Sequence, residues 1–227
     1  NTLKISIYSL LWGFPAPILL ALMLNQVRSN RYKRFVQTVT YAPYFISTVV
    51  LVSMLNIFLT PSSGFINKII ENFGGQAITF MGEPKWFRTV YVASGVWQGA
   101  GWGAIIYLAA LGGVDPSLYD AAMVDGASKM QRLIHIDIPC ILPTIVIMFI
   151  LNMGSLLNVG YEKAYLMQNS LNIPVSEIIS TYVYKIGLIK GNFSFSAAVG
   201  MFNSVINFVL VISANYISRR LTENSLW

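Results

Sequence analysis

Five runs of about 20 or more mainly apolar residues, each close to the length a helix needs to cross a bilayer, dominate the chain. They lie at Ile5 to Leu24, Val36 to Leu59, Val90 to Leu111, Cys140 to Val159 and Ala197 to Ile217, and none contains a Lys, Arg, Asp or Glu. Lipid offers no hydrogen bonds, so runs of this kind must satisfy their own backbone groups as helices. The 227 residues are 55% hydrophobic and 11% charged, with a mean hydropathy of +0.61. A soluble domain carries about 25% charged residues. The fold class is therefore all-α, a polytopic membrane helical bundle. Charge-free spans offer no intramembrane proton relay or fixed ion site, which counts against proton-pump and ion-coupled readings.

The net charge of +6 belongs to this membrane context and not to nucleic-acid binding. Arg28, Arg31, Lys33 and Arg34 crowd one short loop that has no acid, which marks that loop as cytoplasmic. Alternation then places the polar segment Asp115 to Pro143 and the Arg219-Arg220 end on the same side. The single cysteine, Cys140, forms no internal disulfide, and His135, the one histidine, lacks metal-ligand spacing. His135 is expected to make a polar interface contact. Asn1 is not an initiator residue and no leader peptide precedes the first run, so the sequence is expected to begin inside a longer natural protein.

Prolines punctuate the first two runs. Pro15 and Pro17 remove backbone donors and should kink or interrupt the first span, either at a pathway or for ordinary bundle packing. Pro43 does the same near the start of the second, which ends in the turn formers Thr60 to Gly64. Phe65 to Phe73 has helical periodicity and suits a helix along the interface, while Lys85, Trp86 and Arg88 suit an interfacial anchor. In the third run Gly95, Gly99 and Gly103 share one helical face, a pattern that lets two helix backbones approach closely.

Asp115 to Pro143 is a polar, helix-forming insert between two spanning runs. Asp115 can cap a helix, Pro116 suits its first position, and Gly126 can take the left-handed conformation that ends it after Asp125. A second helical segment, Ser128 to Ile138, is expected to close before Pro139. Ala121 and Ala122 offer a methyl-sized surface and Asp120 a charge, which fits a helix docked in a partner's groove as well as a solvated interhelical loop.

The stretch DAAMVDGASKMQRLIHIDIPCILP resembles the EAA loop of permease subunits in binding-protein-dependent ATP-binding-cassette importers. Asp120, Ala121, Ala122 and Gly126 fill the first part of that pattern; Ile136, Ile138 and Pro139 fill the end, with Ile in place of Leu. Asp120 stands where the family carries Glu, one methylene longer. The stretches Asn1 to Ser29 and Val159 to Trp227 extend the resemblance over nearly the whole chain. Within the family they are similar to the subfamily that imports complex oligosaccharides and polysaccharide fragments.

The resemblance implies a maltose-permease-like type I importer fold as one permease domain over residues 1–227. Five of its six core spans are visible, and the sixth is expected before Asn1. Residues 115–143 are the coupling loop, with Asp120, Ala121, Ala122, Gly126 and Ala127 at the ATPase contact. Implied partners are a second, unlike permease subunit, two ATPase subunits, an extracellular or periplasmic solute-binding protein and an oligosaccharide. No cofactor is expected on this chain; ATP and Mg belong to the ATPase, and no GxxxxGK[ST] phosphate loop is present. The chain is expected not to be an enzyme. The implied location is the bacterial cell membrane, with the EAA loop and the C-terminus in the cytoplasm.

For a sugar path, aromatic faces and amides are the chemistry to seek. Gln98, Trp102, Asn152, Asn158, Tyr161, Glu162, Asn203 and Asn207 are the candidates, each equally compatible with packing between helices. The rival functions are an ion-coupled secondary transporter, which should show repeats and charged midplane helices, and a membrane enzyme, which needs ionisable residues in its spans.

Overall fold

A computed structural model describes residues 1–222 and Ser225. The elements are α1 (Thr2–Gly13), α2 (Pro15–Asn25), α3 (Asn30–Tyr41), α4 (Thr48–Phe58), α5 (Phe65–Asn72), α6 (Pro84–Gly112), α7 (Pro116–Val124), α8 (Lys129–Arg132), α9 (Ile138–Met153), α10 (Tyr161–Met167), α11 (Ile173–Ser176), α12 (Ile179–Tyr184) and α13 (Phe193–Thr222). No strand occurs among the described residues. The C-terminal end, whose side the sequence assigns, lies outside them.

Among the described residues, three helical stretches are long and apolar enough to cross a membrane: Thr2–Asn25, Lys129–Met153 and Phe193–Arg220. The pair Asn30–Phe45 and Thr48–Phe58 passes the same test as one broken span. α6, at 29 residues and about 43 Å, has the length, but its glycines, tryptophans and tyrosines lower its hydropathy. The five apolar runs thus fall on five helical segments.

Several boundaries differ from those the sequence suggests. The first span is interrupted at Phe14, between α1 and the Pro15 that opens α2. The second is broken outright. After Pro43 the chain tightens into a 3-10 turn over Ala42–Phe45, and α4 restarts from Ser47, whose hydroxyl accepts the Val50 amide at 3.4 Å. The second helical segment of the polar insert does not close before Pro139. It runs from Lys129 to Met153, passing through a π-turn at Leu133–Asp137 in which the Ile138 amide donates to the Leu133 carbonyl. A π-turn widens the helix just where the Pro139 ring would strike the preceding turn, so the proline is accommodated without a break. This fourth span ends at Met153, short of Val159.

Contacts divide the chain into two compact units. The first comprises Asn1–Trp12, Phe45–Val96 and Ser155–Ile206; the second comprises Gly13–Tyr44, Trp97–Gly154 and Asn207–Trp227. The core of the first gathers Ile5, Val52, Phe87, Tyr91, Ala164, Met167 and Ile178. Asn67 pins α5 there: its amide donates to the carbonyls of Leu59, Thr60 and Ile78 at 3.2, 3.2 and 3.0 Å, and its oxygen accepts the Ile78 amide at 2.8 Å. Lys163 is buried in the same unit. Its ammonium donates to the Tyr91 carbonyl at 2.9 Å and lies 4.7 Å from the centre of the Tyr91 ring. Burial pushes its pKa down to about 8.

The core of the second unit gathers Ala21, Leu22, Ala104, Tyr107, Leu111 and Ile141. Close backbone approach does occur on α6, but on a different set of glycines from the expected triplet. A Cβ on Gly103 would sit 3.0 Å from Pro17, and one on Gly95, in the first unit, 3.3 Å from the Lys163 ammonium, whereas one on Gly99 would meet nothing within 4 Å. The tightest position is Gly101, where a Cβ would overlap the Thr40 carbonyl of α3. The contact is backbone to backbone, and the Thr40 hydroxyl, which donates back to the Val36 carbonyl at 2.8 Å, is satisfied within its own helix.

Two outcomes follow from this packing. Gly101→Ala should prevent accumulation of folded protein in the membrane, because neither backbone can yield, whereas Gly99→Ala should leave it unchanged; expression and detergent gel filtration of the two variants compare them. For Lys163, the folded pKa of about 8 lies below the 10.5 of a solvated lysine, so the unfolded chain holds the extra proton between them. The burial penalty is therefore full below pH 8 and relieved as pH rises toward 10.5, and stability climbs across that window. Melting of the detergent-purified protein at pH 7.5 and 9.5 should show this rise in the wild type and lose it in Lys163→Met.

Candidate functional site

The polar insert folds as two helices joined by a turn whose geometry explains the spacing of its residues. The Asp115 carboxylate accepts the Ser117 amide at 2.9 Å, and Pro116 occupies the first turn of α7. That amide, followed by the Ser117 hydroxyl, holds the Asp115 pKa below its usual value. At the other end Gly126 has φ +73°, the Gly126 amide donates to the Met123 carbonyl at 3.1 Å, and the Ala127 amide donates to the Ala122 carbonyl at 2.8 Å. These paired reverse bonds are a Schellman closure, which needs a left-handed residue four positions after the carbonyl that takes the outer bond. The interval from Ala122 to Gly126 is that requirement written in sequence. A Cβ on Gly126 would touch nothing within 4 Å, so the demand for glycine comes from the backbone conformation and not from crowding.

Ser128 opens α8 with a reciprocal capping box: its hydroxyl accepts the Gln131 amide at 3.3 Å and the Gln131 side chain accepts the Ser128 amide at 2.7 Å. His135 Nδ1 lies 2.9 Å from the Gln131 carbonyl, within its own helix. A hollow of about 330 Å³ lies along the turn, lined by Ala122, Gly126, Ala127, Arg132 and His135 among others. Asp120 is exposed and has no ion-pair or hydrogen-bond partner among the described residues. Ala121 is exposed and Ala122 half-buried, while the apolar Val124 and Met130 are 87% and 64% exposed. The surface presented is a charge, small methyl groups and uncovered apolar side chains.

One residue of this site escaped the sequence reading. Asp137, at the end of the π-turn, is fully buried. Its carboxylate accepts the Gln26 amide at 2.8 Å, the Asn25 amide at 3.4 Å and a short hydrogen bond from the Tyr119 hydroxyl. Three chain segments thus converge on one anion: the end of α2, the middle of α7 and the turn entering α9. Burial, then the adjacent Asp137, pushes the Tyr119 pKa up to about 12, so its hydroxyl keeps the donor proton at neutral pH. A polar residue inside IHIDIP was the available signal, but two of its partners, Asn25 and Gln26, lie more than 100 residues earlier in the chain.

The sugar-path candidates are distributed over both units. In the first, Tyr161 joins Tyr165 and Tyr184 in a three-ring cluster with centroids 5.0 to 5.7 Å apart; Glu162 and Asn158 are exposed, and Asn203 carries a buried oxygen without a partner. In the second, the Trp102 ring stacks on Tyr44 at 4.6 Å, Asn152 donates to the Met148 carbonyl at 2.7 Å, Gln98 is half-buried and Asn207 is buried. Tyr165, Tyr184 and Tyr44 were not among the candidates. Among the described residues, no group of three His, Cys, Asp or Glu side chains is placed to hold a metal ion.

Multiple apolar helices and a polar helical hairpin between two of them define a polytopic membrane protein. The chain belongs to the family of binding-protein-dependent transport system inner membrane components, whose family model matches residues 13–223. It is 45% identical over 227 residues to Protein LplB of Bacillus subtilis (strain 168), covering all of this chain and 71% of the relative. It is 44% identical, with the same coverage, to the polygalacturonan/rhamnogalacturonan transport system permease protein YteP of the same organism. Among solved structures, a chain of a bacterial alginate ABC transporter in complex with an alginate pentasaccharide-bound periplasmic protein superposes with a TM-score of 0.96 at 42% identity. That match covers all of this chain and 78% of the other. The fold is the type I ABC importer permease fold, and the chain is an integral membrane protein of a transport family.

The carboxylate cluster should be measurable as local stability. Asp137→Ala leaves Tyr119 and Gln26 without their charged acceptor and should lower hydrogen-exchange protection of α7 by about 3 kcal/mol. Tyr119→Phe removes one arm and should cost about half of that. Equal protection in the wild type and both variants would remove Asp137 from the account of the loop.

Proposed function

We propose that this chain is one permease subunit of an ATP-driven importer for complex, acidic oligosaccharides or polysaccharide fragments, and that α7 is its coupling helix. The observation that carries this reading is the Schellman-closed, exposed helix whose Tyr119 is tied through Asp137 to the end of α2. A push on α7 would thereby reach a spanning helix through a buried charged contact. Relatives whose names carry polygalacturonan, rhamnogalacturonan and alginate support the substrate class.

In this reading the loop and the C-terminus face the cytoplasm, two ATPase subunits bind ATP and Mg, an unlike permease completes the path, and a solute-binding protein delivers the sugar outside. Asp120 supplies the charged contact, Ala121 and Ala122 the close approach, and Gly126 with Ala127 the turn that sets the helix angle. Work passes only if these contacts differ in free energy between the inward- and outward-facing states. For the sugar, the Tyr161 cluster and the Trp102 ring offer faces to C–H surfaces, and Gln98, Asn152, Asn158, Glu162, Asn203 and Asn207 offer hydrogen bonds to hydroxyls.

The test is ATP hydrolysis by the reconstituted complex, stimulated by its binding protein loaded from a panel of neutral and acidic oligosaccharides. Gly126→Pro and Ala122→Trp should abolish the stimulated rate while membrane insertion and assembly persist. Full coupled transport by either variant would sink the coupling assignment. Stimulation by neutral sugars and none by acidic ones would sink the substrate class.

A further inference from the structure

The first unit holds a groove of about 450 Å³ between α1 and α6. Lys4, Ile7, Tyr8 and Leu11 line it from α1, and Lys85, Arg88 and Thr89 from α6. On each helix these residues recur at three- and four-residue steps, so each set forms one face. All three cations sit in the first turns of their helices. Leu11 lies about 10 Å farther along α1 than Lys4, at ~1.5 Å per residue.

The charges at the mouth are poorly answered within the chain. Lys85 meets Glu83 at 2.7 Å, with the Lys85 side chain largely exposed and that of Glu83 half-buried. Arg88 donates from Nη2 to the Asn1 side-chain oxygen at 3.3 Å, and its Nε is buried without a partner. Lys4 is exposed and faces no carboxylate among the described residues. Below them the α1 face turns aliphatic: Ile7 and Leu11 are 51% and 62% exposed. Trp86 beside the cations fits the headgroup level of a bilayer.

We propose that this groove binds an anionic glycerophospholipid, with its phosphate held among Lys4, Lys85 and Arg88 and an acyl chain lying along Ile7 and Leu11. Three cations facing one acid attract an anion, and the aliphatic face directly below takes up hydrocarbon. An acidic oligosaccharide would satisfy the charges and could bond Tyr8 and Thr89 at the mouth, but deeper in it would set hydroxyls against Ile7 and Leu11, which cannot bond them.

The test is native mass spectrometry of the full-length chain in its purified transport complex, titrated separately with phosphatidylglycerol and phosphatidylcholine. Phosphatidylglycerol should bind in preference, and Lys4→Gln with Arg88→Gln should weaken it about thirtyfold, from roughly fivefold per cation. The complex should keep its mass and its ATP hydrolysis. If that pair fails to assemble, Lys85→Gln, at an exposed side chain, should show a single fivefold loss. A photoreactive label at Leu11→Cys should crosslink to lipid. Equal binding of both lipids, unchanged affinity in the assembled variants, or crosslinking of the label to a protein segment would each overturn the proposal.

Discussion

A single buried carboxylate organises the polar end of the second unit, where α2, α7 and α9 meet. Asp137 has no cationic partner in its hydrogen-bond shell; it is held by two amides and a phenol. Neutral donors of this kind can stabilise a buried anion when its lone pairs are filled, and they leave it intolerant of losing any one of them. It ties the end of α2 and the middle of α7 to the turn entering α9, so displacing one of these segments strains its bonds to the others. A solvated ion pair could slide under the same load. A buried, directional cluster resists it.

The approach of α3 and α6 in the same unit has a comparable logic. In lipid, helices gain little from hydrophobic association and rely on close packing and interhelical bonding. Gly101 lets the Thr40 backbone come into contact, and the neighbouring Trp102 caps the contact by stacking on Tyr44. Small residue and large ring are adjacent on one helix, one admitting the neighbouring backbone and the other covering it.

What could be read from the sequence was local. Asp115, Pro116, Gly126 and Ser128 announce caps and turns through their own side chains or backbone freedom; α7 begins and ends, and α8 begins, where those residues require. The apolar runs fall on helices for the same reason. Features set by distant partners were not legible. Nothing around Gly101 distinguishes it from Gly99, because the difference lies in which of them α3 passes. Asp137 looked like one more polar residue before a proline, since Asn25 and Gln26 meet it only after the span folds back. The π-turn was hidden because Pro139 ordinarily signals a stop, and only the widened turn lets the helix continue.

That π-turn separates two periodicities. One residue inserted into an α-helix advances everything beyond it by about 100° around the axis. The residues of α8 are thus out of phase with those of α9, although the two are continuous. The face that α9 shows to lipid and neighbouring helices need not dictate the face that α8 shows to whatever meets the loop. The two surfaces can be altered independently during evolution, with the wide turn absorbing the mismatch.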